Sequence, residues 1–497
     1  MKTLTFFLFT FLIVFCSCQP NKKVLITGEL VGYKKSTAIF YSFMPFRTIG
    51  DKTDTIYADD NGRFSIELTI DKPQVFNFYG KQDTAYYYCP AILIKPGENH
   101  VLTCSLTKDT RSTKSYTVKG PNSEGQKILF FSFDNGWRGS NLFTAQWNLS
   151  DSIIILDSLN RKIERTILPF QQLLSAKKID KDFYKYAENN IRYYFAYQLE
   201  NEIEALLFKK SDPQTQNEFE KISSKIFRDF PVSGEAILNS SVITDYLNYY
   251  LAYVKRMNKT EYDSFASRGL MQTYELKKLK EAVTPLLYKY FAIEYIWSRA
   301  GWKDKETLDL FDQYKKDFPG YTGNMYYKML EKESIPAIKE LYSINTDQLP
   351  QEILFIDKEK PILSIKELIT HFPGKPIFID CWATWCGPCI GDFQYNEPLK
   401  EFLKKNKIEM VYIAFEKNPN IEKWKAFINK YNLTGHHIMI NDSIRNDLIK
   451  RLQIEKSDFT IPKYILIDNK GQIVLKDALR PSDEEKLLDQ IKITLKI

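Results

Sequence analysis

The sequence predicts a multidomain protein with an N-terminal antiparallel β sandwich or barrel, a central all-α region and a C-terminal α/β domain. Its 497 residues exceed what one hydrophobic core organises, because single domains typically hold about 100–200 residues. The apolar pattern changes twice along the chain, from short runs separated by turns to a helical period, and then to strands that alternate with helices. We therefore expect a β domain at residues 24–118, a helical region at 120–345 and an α/β domain at 350–497.

The composition is that of a soluble globular protein, with 44% hydrophobic and 26% charged residues. The formal charge of +7 comes from 69 basic and 62 acidic residues that are mixed along the chain. An arm that binds nucleic acid would be a block of Lys and Arg, and the sequence has no long block of this kind. The charge pattern therefore gives no support to a nucleic-acid partner.

The first 17 residues predict a signal peptide. Lys2 precedes an apolar run, Leu4 to Phe15, which is too short for a bilayer span of about 20 residues. Ser17 and Cys18 follow, and this arrangement resembles a bacterial lipoprotein signal, in which the Cys is lipidated and becomes the mature N-terminus. The resemblance implies a lipid anchor at Cys18 on a periplasm-facing protein, while cleavage into a soluble secreted protein stays open. Both alternatives place the chain where disulfides persist.

Short apolar runs with turns between them predict the β domain. Asn61-Gly62 predicts a hairpin turn. A tight turn at Pro96-Gly97 would set Cys89 opposite Cys104, but the favoured geometry of Pro-Gly splays the strands, so a disulfide between these two residues stays open. The predicted strands are Val24 to Val31, Ala38 to Phe43, Thr55 to Tyr57, Phe64 to Ile70, Tyr86 to Ile94 and Val101 to Leu106.

Apolar residues recur every fourth position from Ile191 to Leu207 and from Ile243 to Val254, which predicts amphipathic helices. Thr284 before Pro285 predicts a helix start, and Gly301 predicts its end. Tyrosines on the same helices favour packing against neighbouring helices over lining a ligand groove. Residues 120–345 show no catalytic constellation and are interpreted as a helical spacer.

After residue 350, strands alternate with helices, which predicts a mostly parallel sheet with an antiparallel end. Ser482, with Glu485 three residues later, predicts a capping box at the start of the last helix. The predicted strands are Ile377 to Asp380, Ile408 to Phe415, His437 to Ile440, Tyr464 to Asp468 and Gln472 to Leu475, and the predicted helices between them are Cys386 to Lys405, Ile421 to Tyr431 and Ser443 to Leu452.

Cys386 and Cys389 form a Cys-x-x-Cys pair between a predicted strand and a predicted helix. Unpaired backbone N–H groups and the helix dipole favour a thiolate at the helix start, so Cys386 is the predicted exposed nucleophile. Cys389, one turn later and facing inward, is the predicted resolving thiol. A zinc site would need a second ligand pair, and the adjacent His436 and His437 would point to opposite faces of a strand. The spacing therefore favours a redox pair and no metal.

The run at residues 382–389, WATWCGPC, resembles the active site of the thioredoxin superfamily, and the signal peptide narrows the resemblance to TlpA-like thiol–disulfide oxidoreductases. The resemblance covers residues 350–497 and implies a thioredoxin-like fold there. It matches Asp380 with a buried carboxylate under the active site, Ile461-Pro462 with a cis-proline loop, and Asp392 with an acidic residue after the second Cys. The domain at residues 24–118 loosely resembles the β domain found ahead of TlpA-like modules.

Each matched residue also has a physical reason for its role. Burial disfavours the charged form of Asp380 and raises its proton affinity, which suits an acid/base for Cys389, with Asp392 as a candidate proton relay. Cys381 points to the opposite face of the strand and is predicted to pack as a small hydrophobe.

The residues around the cysteine pair are predicted to bind the substrate. The backbone of Ile461, beside Pro462 in the cis form, is predicted to pair with an extended substrate strand. Trp385 is predicted to be a partly exposed platform beside Cys386, with core packing as the alternative.

These features predict an extracytoplasmic thiol–disulfide oxidoreductase that reduces protein disulfides and needs no cofactor. Gly387-Pro388 resembles reducing thioredoxins, whose potential is typically about −270 mV. The resemblance implies a membrane thiol-transfer partner that supplies electrons. The alternative is a lipid-anchored binding or scaffolding protein in which the first 345 residues do the work. A thiol peroxidase would carry a Pro-x-x-x-Thr/Ser-x-x-Cys pattern that is not present around the reactive Cys.

Overall fold

The computed structural model describes residues 23–32, 38–44, 54–70, 73–82, 85–105, 116–134, 152–209, 213–234, 237, 240, 242–322, 324–357, 360–416, 420–455 and 458–497. The chain divides into two compact units, Met1–Tyr250 and Leu251–Ile497. The predicted signal peptide at residues 1–17 and the predicted lipidation site Cys18 lie outside the described residues. None of the helices that the structure describes is both long and apolar enough to cross a bilayer. The domain bounds drawn from the sequence stay predictions.

Two four-stranded sheets form the first part of unit one, in the orders β4-β1-β7-β8 and β3-β2-β5-β6. The expectation of an antiparallel domain is wrong for one pair, because β1 and β7 run parallel. The sequence analysis missed β5 and β8. The strands are β1 (Lys23–Val31), β2 (Ala38–Met44), β3 (Asp54–Tyr57), β4 (Arg63–Thr69), β5 (Gln74–Gln82), β6 (Ala85–Ile94), β7 (Asn99–Ser105) and β8 (Tyr116–Lys119).

A single hydrophobic core lies between these two sheets. Residues of β4 alternate between buried and exposed, so Phe64, Ile66 and Leu68 face inward while their neighbours face solvent. Phe76 of β5 and Ile92 of β6 belong to the same core. The β domain is therefore a sandwich of two packed sheets.

The arrangement that would set Cys89 opposite Cys104, which the sequence left open, does not occur, because β6 and β7 belong to different sheets. Gly97 has a φ of +84°, and the Glu98 N–H donates to the Lys95 carbonyl at 3.2 Å, so this turn carries the chain from one sheet to the other. Cys104 is a buried free thiol rather than half of a disulfide.

The turn at Asn61-Gly62 is present, with the Gly62 N–H donating to the Asp59 carbonyl at 3.0 Å. Its flanking strands do not form the predicted pair. β3 joins β2, whereas β4 joins β1, so this turn connects strands of different sheets.

In the part of the chain that the structure describes, five helices lie between residues 123 and 257, and the last of them, α5, includes the boundary between Tyr250 and Leu251. Their tyrosines pack between helices, as predicted: the rings of Tyr193 and Tyr246 lie 5.5 Å apart, and the Tyr193 hydroxyl donates to the Pro231 carbonyl at 2.8 Å. The helices are α1 (Ser123–Asp134), α2 (Ser152–Ser175), α3 (Lys181–Lys209), α4 (Pro213–Asp229) and α5 (Ile243–Met257).

Unit two begins with further helices. The predicted start of α8 is confirmed, since the Thr284 side chain accepts the Leu287 N–H at 3.3 Å and Pro285 is the first helical residue. A π-helical turn, Leu330–Ser334, separates α10 from α11. The helices are α6 (Lys259–Ala266), α7 (Met271–Ala282), α8 (Pro285–Ala300), α9 (Glu306–Asp317), α10 (Met325–Met329) and α11 (Ile335–Tyr342).

A six-stranded sheet in the order β14-β13-β10-β11-β12-β9 forms the centre of the α/β domain. β10 runs parallel to β11 and antiparallel to β13, which confirms the predicted antiparallel end. All six residues of β10 are buried, so both faces of this strand are covered. The sequence analysis missed β9. The strands are β9 (Ile353–Phe355), β10 (Ile377–Trp382), β11 (Glu409–Ala414), β12 (Gly435–Met439), β13 (Lys463–Ile467) and β14 (Ile473–Leu475).

The helix predicted from Cys386 to Lys405 is wrong as one continuous element. It consists of α13 (Gly387–Asp392), a 3₁₀ turn (Phe393–Tyr395) and α14 (Asn396–Lys405). Pro398 has no N–H to donate to the Gln394 carbonyl, so a continuous helix would leave that carbonyl unpaired. Because α14 begins at Asn396, Pro398 falls in its first turn, where no N–H is needed. The other helices are α12 (Ile365–Thr370), α15 (Ile421–Lys430), α16 (Asp442–Leu452) and α17 (Glu485–Leu495).

The predicted capping box at Ser482 and Glu485 is also wrong. A 3₁₀ turn, Pro481–Asp483, precedes α17 and contains Ser482. The Asp483 carboxylate accepts the Arg480 N–H at 2.9 Å and closes this turn. Ser482 is therefore inside a turn that Pro481 begins, and it cannot serve as the N-cap of α17.

Within unit two, the helices of residues 251–345 pack directly against the α/β domain. α11 contacts α15, and Lys430 Nζ of α15 lies 2.8 Å from Oε1 of Glu340 in α11. The Asn429 side chain donates to the Asn345 carbonyl at 3.3 Å. These helices and the α/β domain therefore form a single folded unit, whereas the sequence analysis interpreted the helices as a spacer.

Candidate active site

The redox turn, which we define as residues 382–386, connects the end of β10 to the start of α13. Cys386 is the N-cap residue of α13, and its Sγ accepts the Cys389 N–H at 3.3 Å. The Cys386 N–H donates to the Ala383 carbonyl at 3.1 Å and closes the turn. Sγ of Cys386 is therefore next to the unpaired N–H groups of a helix start, which is the position that stabilises a thiolate.

Cys386 and Cys389 are joined in a disulfide with an S–S distance of 2.01 Å and a Cα–Cα distance of 5.3 Å. The expectation of an exposed Cys386 is wrong for this oxidised form, since only 4% of the residue is accessible. Cys389, the residue bonded to it, has no accessible surface. The structure thus brings the two predicted cysteines together, and the oxidised pair is shielded from solvent.

Asp380 lies on β10 with no accessible surface, as predicted. Neither of its carboxyl oxygens has a hydrogen-bond partner among the described residues. Burial, and secondarily the charge of Asp392, raises the pKa of Asp380 well above its usual range. The direction of this shift agrees with the expected proton affinity, and the acid/base role of Asp380 stays a prediction.

The residues predicted to bind the substrate lie next to the redox turn. The Ile461–Pro462 peptide bond is cis, and β13 starts directly after it. Cys381 pairs with Lys463 across β10 and β13, so the Ile461–Pro462 loop meets the carboxyl end of β10, where the redox turn begins. Trp385 is 41% exposed, which suits the predicted platform.

Cys381 is a free thiol with no accessible surface, as predicted for a residue that only packs. Burial, together with the charge of Asp380, raises the pKa of the Cys381 thiol well above its usual range. His437 is stacked on Tyr412 with ring centroids 4.9 Å apart, whereas His436 bonds Glu409 at 3.1 Å, so the two histidines face apart. Across the described residues, no three His, Cys, Asp or Glu side chains are grouped to hold a metal ion.

Comparisons with known proteins agree with this geometry. The family described as Redoxin matches residues 366–491. Thiol-disulfide oxidoreductase ResA of Bacillus thuringiensis is 26% identical over 148 residues, which are 29% of this chain and 80% of that relative. The thioredoxin-like protein YneN of Bacillus subtilis is 28% identical over 156 residues, which are 31% of this chain and 79% of that relative. The C-terminal domain is a thioredoxin-like oxidoreductase.

A solution structure of a candidate thiol-disulfide oxidoreductase from Bacteroides vulgatus is 30% identical, covers 25% of this chain and 79% of its own, and has a TM-score of 0.20. That score is too low to bear on the fold of the whole chain. The Redoxin match lies at residues 366–491, within the oxidoreductase domain.

Tyr464 is a site residue of the oxidoreductase domain that sequence reasoning missed. Its hydroxyl donates to Oδ2 of Asp392 at 3.0 Å, and it faces Asp380 directly across β10 and β13. Burial raises the pKa of the Tyr464 hydroxyl, so it remains a hydrogen-bond donor. The register of β13 against β10 would have revealed it, because directly opposed residues share a face of the sheet.

Glu416 is a second residue that sequence reasoning missed. Its Oε1 accepts the Thr384 N–H at 2.6 Å and its Oε2 accepts the Thr384 hydroxyl at 3.1 Å, so both carboxylate oxygens hold the redox turn. Burial raises the pKa of Glu416, and the bonds from Thr384 lower it. Glu416 follows β11, and the carboxyl ends of neighbouring parallel strands meet at one edge of a sheet, which is the signal that could have found it.

Proposed function

We propose that the chain is an extracytoplasmic, lipid-anchored thiol–disulfide oxidoreductase that reduces protein disulfides through Cys386 and Cys389. The observation that carries the proposal is that Cys386 caps α13 within disulfide distance of Cys389. A helix start favours the thiolate of the first Cys, and the second is close enough to displace a bound partner. The Redoxin match and the names of the relatives support the same chemistry.

The reaction begins with the reduced pair. The Cys386 thiolate attacks one sulfur of a substrate disulfide, a mixed disulfide forms, and the other substrate sulfur leaves as a thiolate that takes a proton. Cys389 then loses its proton and attacks Sγ of Cys386. The mixed disulfide breaks, the second substrate thiolate leaves, and the Cys386–Cys389 disulfide forms. Two electrons have passed to the substrate, and the cysteine pair has lost the one thiol proton that it held, that of Cys389.

Asp380 is the proposed acceptor of the Cys389 proton. Both residues are fully buried, so water is a poor proton acceptor there. The raised pKa of Asp380 brings its proton affinity closer to that of a thiol, which favours transfer between them. Asp392, which accepts a hydrogen bond from Tyr464, is the proposed relay that carries the proton onward.

Trp385 and the Ile461–Pro462 loop are the proposed substrate-binding surface. An extended substrate segment would lie along the backbone of Ile461, which precedes β13, and would pair with it through main-chain hydrogen bonds. The exposed indole of Trp385 offers an apolar face beside Cys386. In this position the substrate disulfide would lie next to the Cys386 thiolate. The enzyme would contact mostly the backbone of the substrate segment.

A Cys389→Ser variant of the full chain tests the proposal. It cannot resolve the mixed disulfide, so partners should remain covalently attached through Cys386, whereas a Cys386→Ser, Cys389→Ser double variant should capture none. The alternative function, a binding or scaffolding protein, predicts an alkylation-resistant Cys386 in the reduced chain and no disulfide-linked partner. That result would refute the oxidoreductase proposal.

The proposed direction is reduction, because Gly387-Pro388 lies between the two cysteines as in reducing thioredoxins. A reductant outside the cytoplasm needs resupply, so a membrane thiol-transfer protein is the proposed electron donor. The reduction potential of the cysteine pair, measured by equilibration with glutathione, is expected to be about −270 mV. A value of about −120 mV, typical of strong oxidants, would refute the proposed direction and leave the proposed thiol chemistry intact.

A further inference from the structure

An ion pair joins the helices of residues 251–345 to the oxidoreductase domain. Lys423, in the first turn of α15, has its Nζ 2.6 Å from Oδ1 of Asp304, which lies between α8 and α9. The Lys423 side chain is 7% exposed and that of Asp304 is 24% exposed. Charges that are shielded from water act more strongly on each other and on their neighbours than the charges of an exposed surface pair.

The second carboxylate oxygen of Asp304 is tied to α7. Oδ2 accepts the side-chain N–H of the buried Gln272 at 3.3 Å. Gln272 is held in turn by Thr307, whose hydroxyl donates to its carbonyl at 3.3 Å, and by Glu306, which accepts its backbone N–H at 3.1 Å. The helices therefore fix the position of the Asp304 charge.

The same pair acts on Glu416, the residue that holds the redox turn. Besides burial and the bonds from Thr384, the Lys423 charge lowers the pKa of Glu416 and the Asp304 charge raises it. Two hydrogen-bond donors from Thr384 meet the two oxygens of Glu416, which fits its carboxylate form. Thr384 is buried and precedes Cys386 by two residues. α15, which carries Lys423 in its first turn, begins seven residues after β11 ends, so the ion pair lies at the same edge of the sheet as Glu416 and the redox turn.

We propose that Asp304 is a positioning residue that sets the reactivity of Cys386 by neutralising Lys423 behind the Glu416–Thr384 contact. The inference rests on the proposed thiol chemistry and extends it: the helices at residues 251–345 belong to the enzyme and tune it. Loss of the Asp304 charge leaves Lys423 uncompensated, which favours the Cys386 thiolate. Loss of the Lys423 charge leaves two carboxylates behind the turn, which disfavours the thiolate.

The test is the pH profile of iodoacetamide alkylation of Cys386 in the reduced full chain, read on the Cys386 peptide by mass spectrometry. Below the pKa of the thiol, Asp304→Asn should speed alkylation about two- to fivefold, and Lys423→Gln should slow it by a similar factor, as expected for one partly screened charge. The double variant should return close to the wild-type rate. Lys423→Arg, which keeps the charge, should behave like the wild type.

A merely structural ion pair predicts a different pattern, because either loss would loosen the same contact and shift the rate in the same direction. Shifts of one sign, or no shift, would overturn the inference. Glu340→Gln is the matched control, since it breaks the Lys430–Glu340 pair between the same helices and α15 and should leave the rate unchanged. A wild-type Cys386 that does not react at all defeats the proposed function instead, so the two failures are distinguishable.

Discussion

Replacing Asp380 by Asn should make the oxidoreductase domain more stable than the wild type, by a margin that grows as the pH rises. The folded-state pKa of this fully buried carboxyl is raised, while the unfolded-state pKa is about 3.9. Between these two values the folded state binds more protons than the unfolded state. The wild-type chain therefore loses stability with rising pH across that window, and Asp380→Asn, which cannot titrate there, does not.

The magnitude follows from one proton. The stability difference between Asp380→Asn and the wild type should grow by about 1.4 kcal/mol for each pH unit above about pH 4, until the pH reaches the folded-state pKa of Asp380. The amide itself adds an offset that is the same at every pH, so the slope is the quantity to test. Asp380→Leu removes the same titration and should give the same slope with a different offset.

Cys381 supplies the assay. Its thiol is fully buried on the same strand, so it is alkylated only when the oxidoreductase domain unfolds. Denaturant-dependent labelling of Cys381, normalised to the rate of the unfolded chain at each pH, reports the free energy of unfolding of the folded unit that contains this domain. A difference that does not change between pH 5 and pH 8 would show that Asp380 ionises equally in both states, and would refute the link between its burial and its pKa. 

Three further predictions follow from the same contacts. Tyr464→Phe leaves the buried Asp392 carboxyl without its 3.0 Å donor and should lower the free energy of unfolding by about 1–3 kcal/mol, read by Cys381 labelling; an unchanged value would mean that this hydrogen bond adds no net stability. Glu416→Ala leaves the Thr384 N–H without its acceptor and should speed its hydrogen exchange, whereas Glu416→Gln, which keeps an acceptor, should protect it partly. Cys18→Ala should move the protein from the detergent phase to the aqueous phase in a phase-separation assay, and a protein that stays in the detergent phase would contradict the lipid anchor.

The cysteine pair could be predicted from the sequence because its signals are local. A buried strand, a turn and a Cys-x-x-Cys at the start of a helix occupy 13 consecutive residues, Ile377–Cys389, and each signal depends only on neighbours along the chain. Burial of Asp380 followed from its place inside that strand. The helix start at Thr284-Pro285 was predictable for the same reason, since the cap and the first residue are adjacent.

The partition of the β domain into two sheets could not be predicted in the same way. The turns at Asn61-Gly62 and Pro96-Gly97 are both present, but each joins strands of different sheets. Turn residues fix the backbone locally, whereas strand pairing is decided by which apolar faces meet in the sandwich core. Cys89 and Cys104 were therefore near a real turn without lying opposite each other.

Part of the candidate site could not be predicted because it depends on contacts between residues that are far apart in the sequence. Glu416 is 32 residues from Thr384, and Lys423 is 119 residues from Asp304, so neither contact has a periodic or local signature. Cys386 is buried in the oxidised form, in which it is bonded to the fully buried Cys389. A sequence pattern carries no information about that state.

The two carboxylates beside the cysteine pair differ in environment, and this difference assigns their proposed roles. Asp380 is fully buried and has no hydrogen-bond donor among the described residues, so its charged form is disfavoured and it suits proton transfer. Glu416 is half-buried and its two oxygens meet two donors from Thr384, which offset the cost of burying its charge, so it suits a fixed anchor for the redox turn. Exchanging the roles would require a donor at Asp380 and the loss of both donors at Glu416. The helices at residues 251–345 reach the second carboxylate through Asp304 and Lys423, which is why their effect is expected on the reactivity of Cys386 rather than on proton transfer from Cys389.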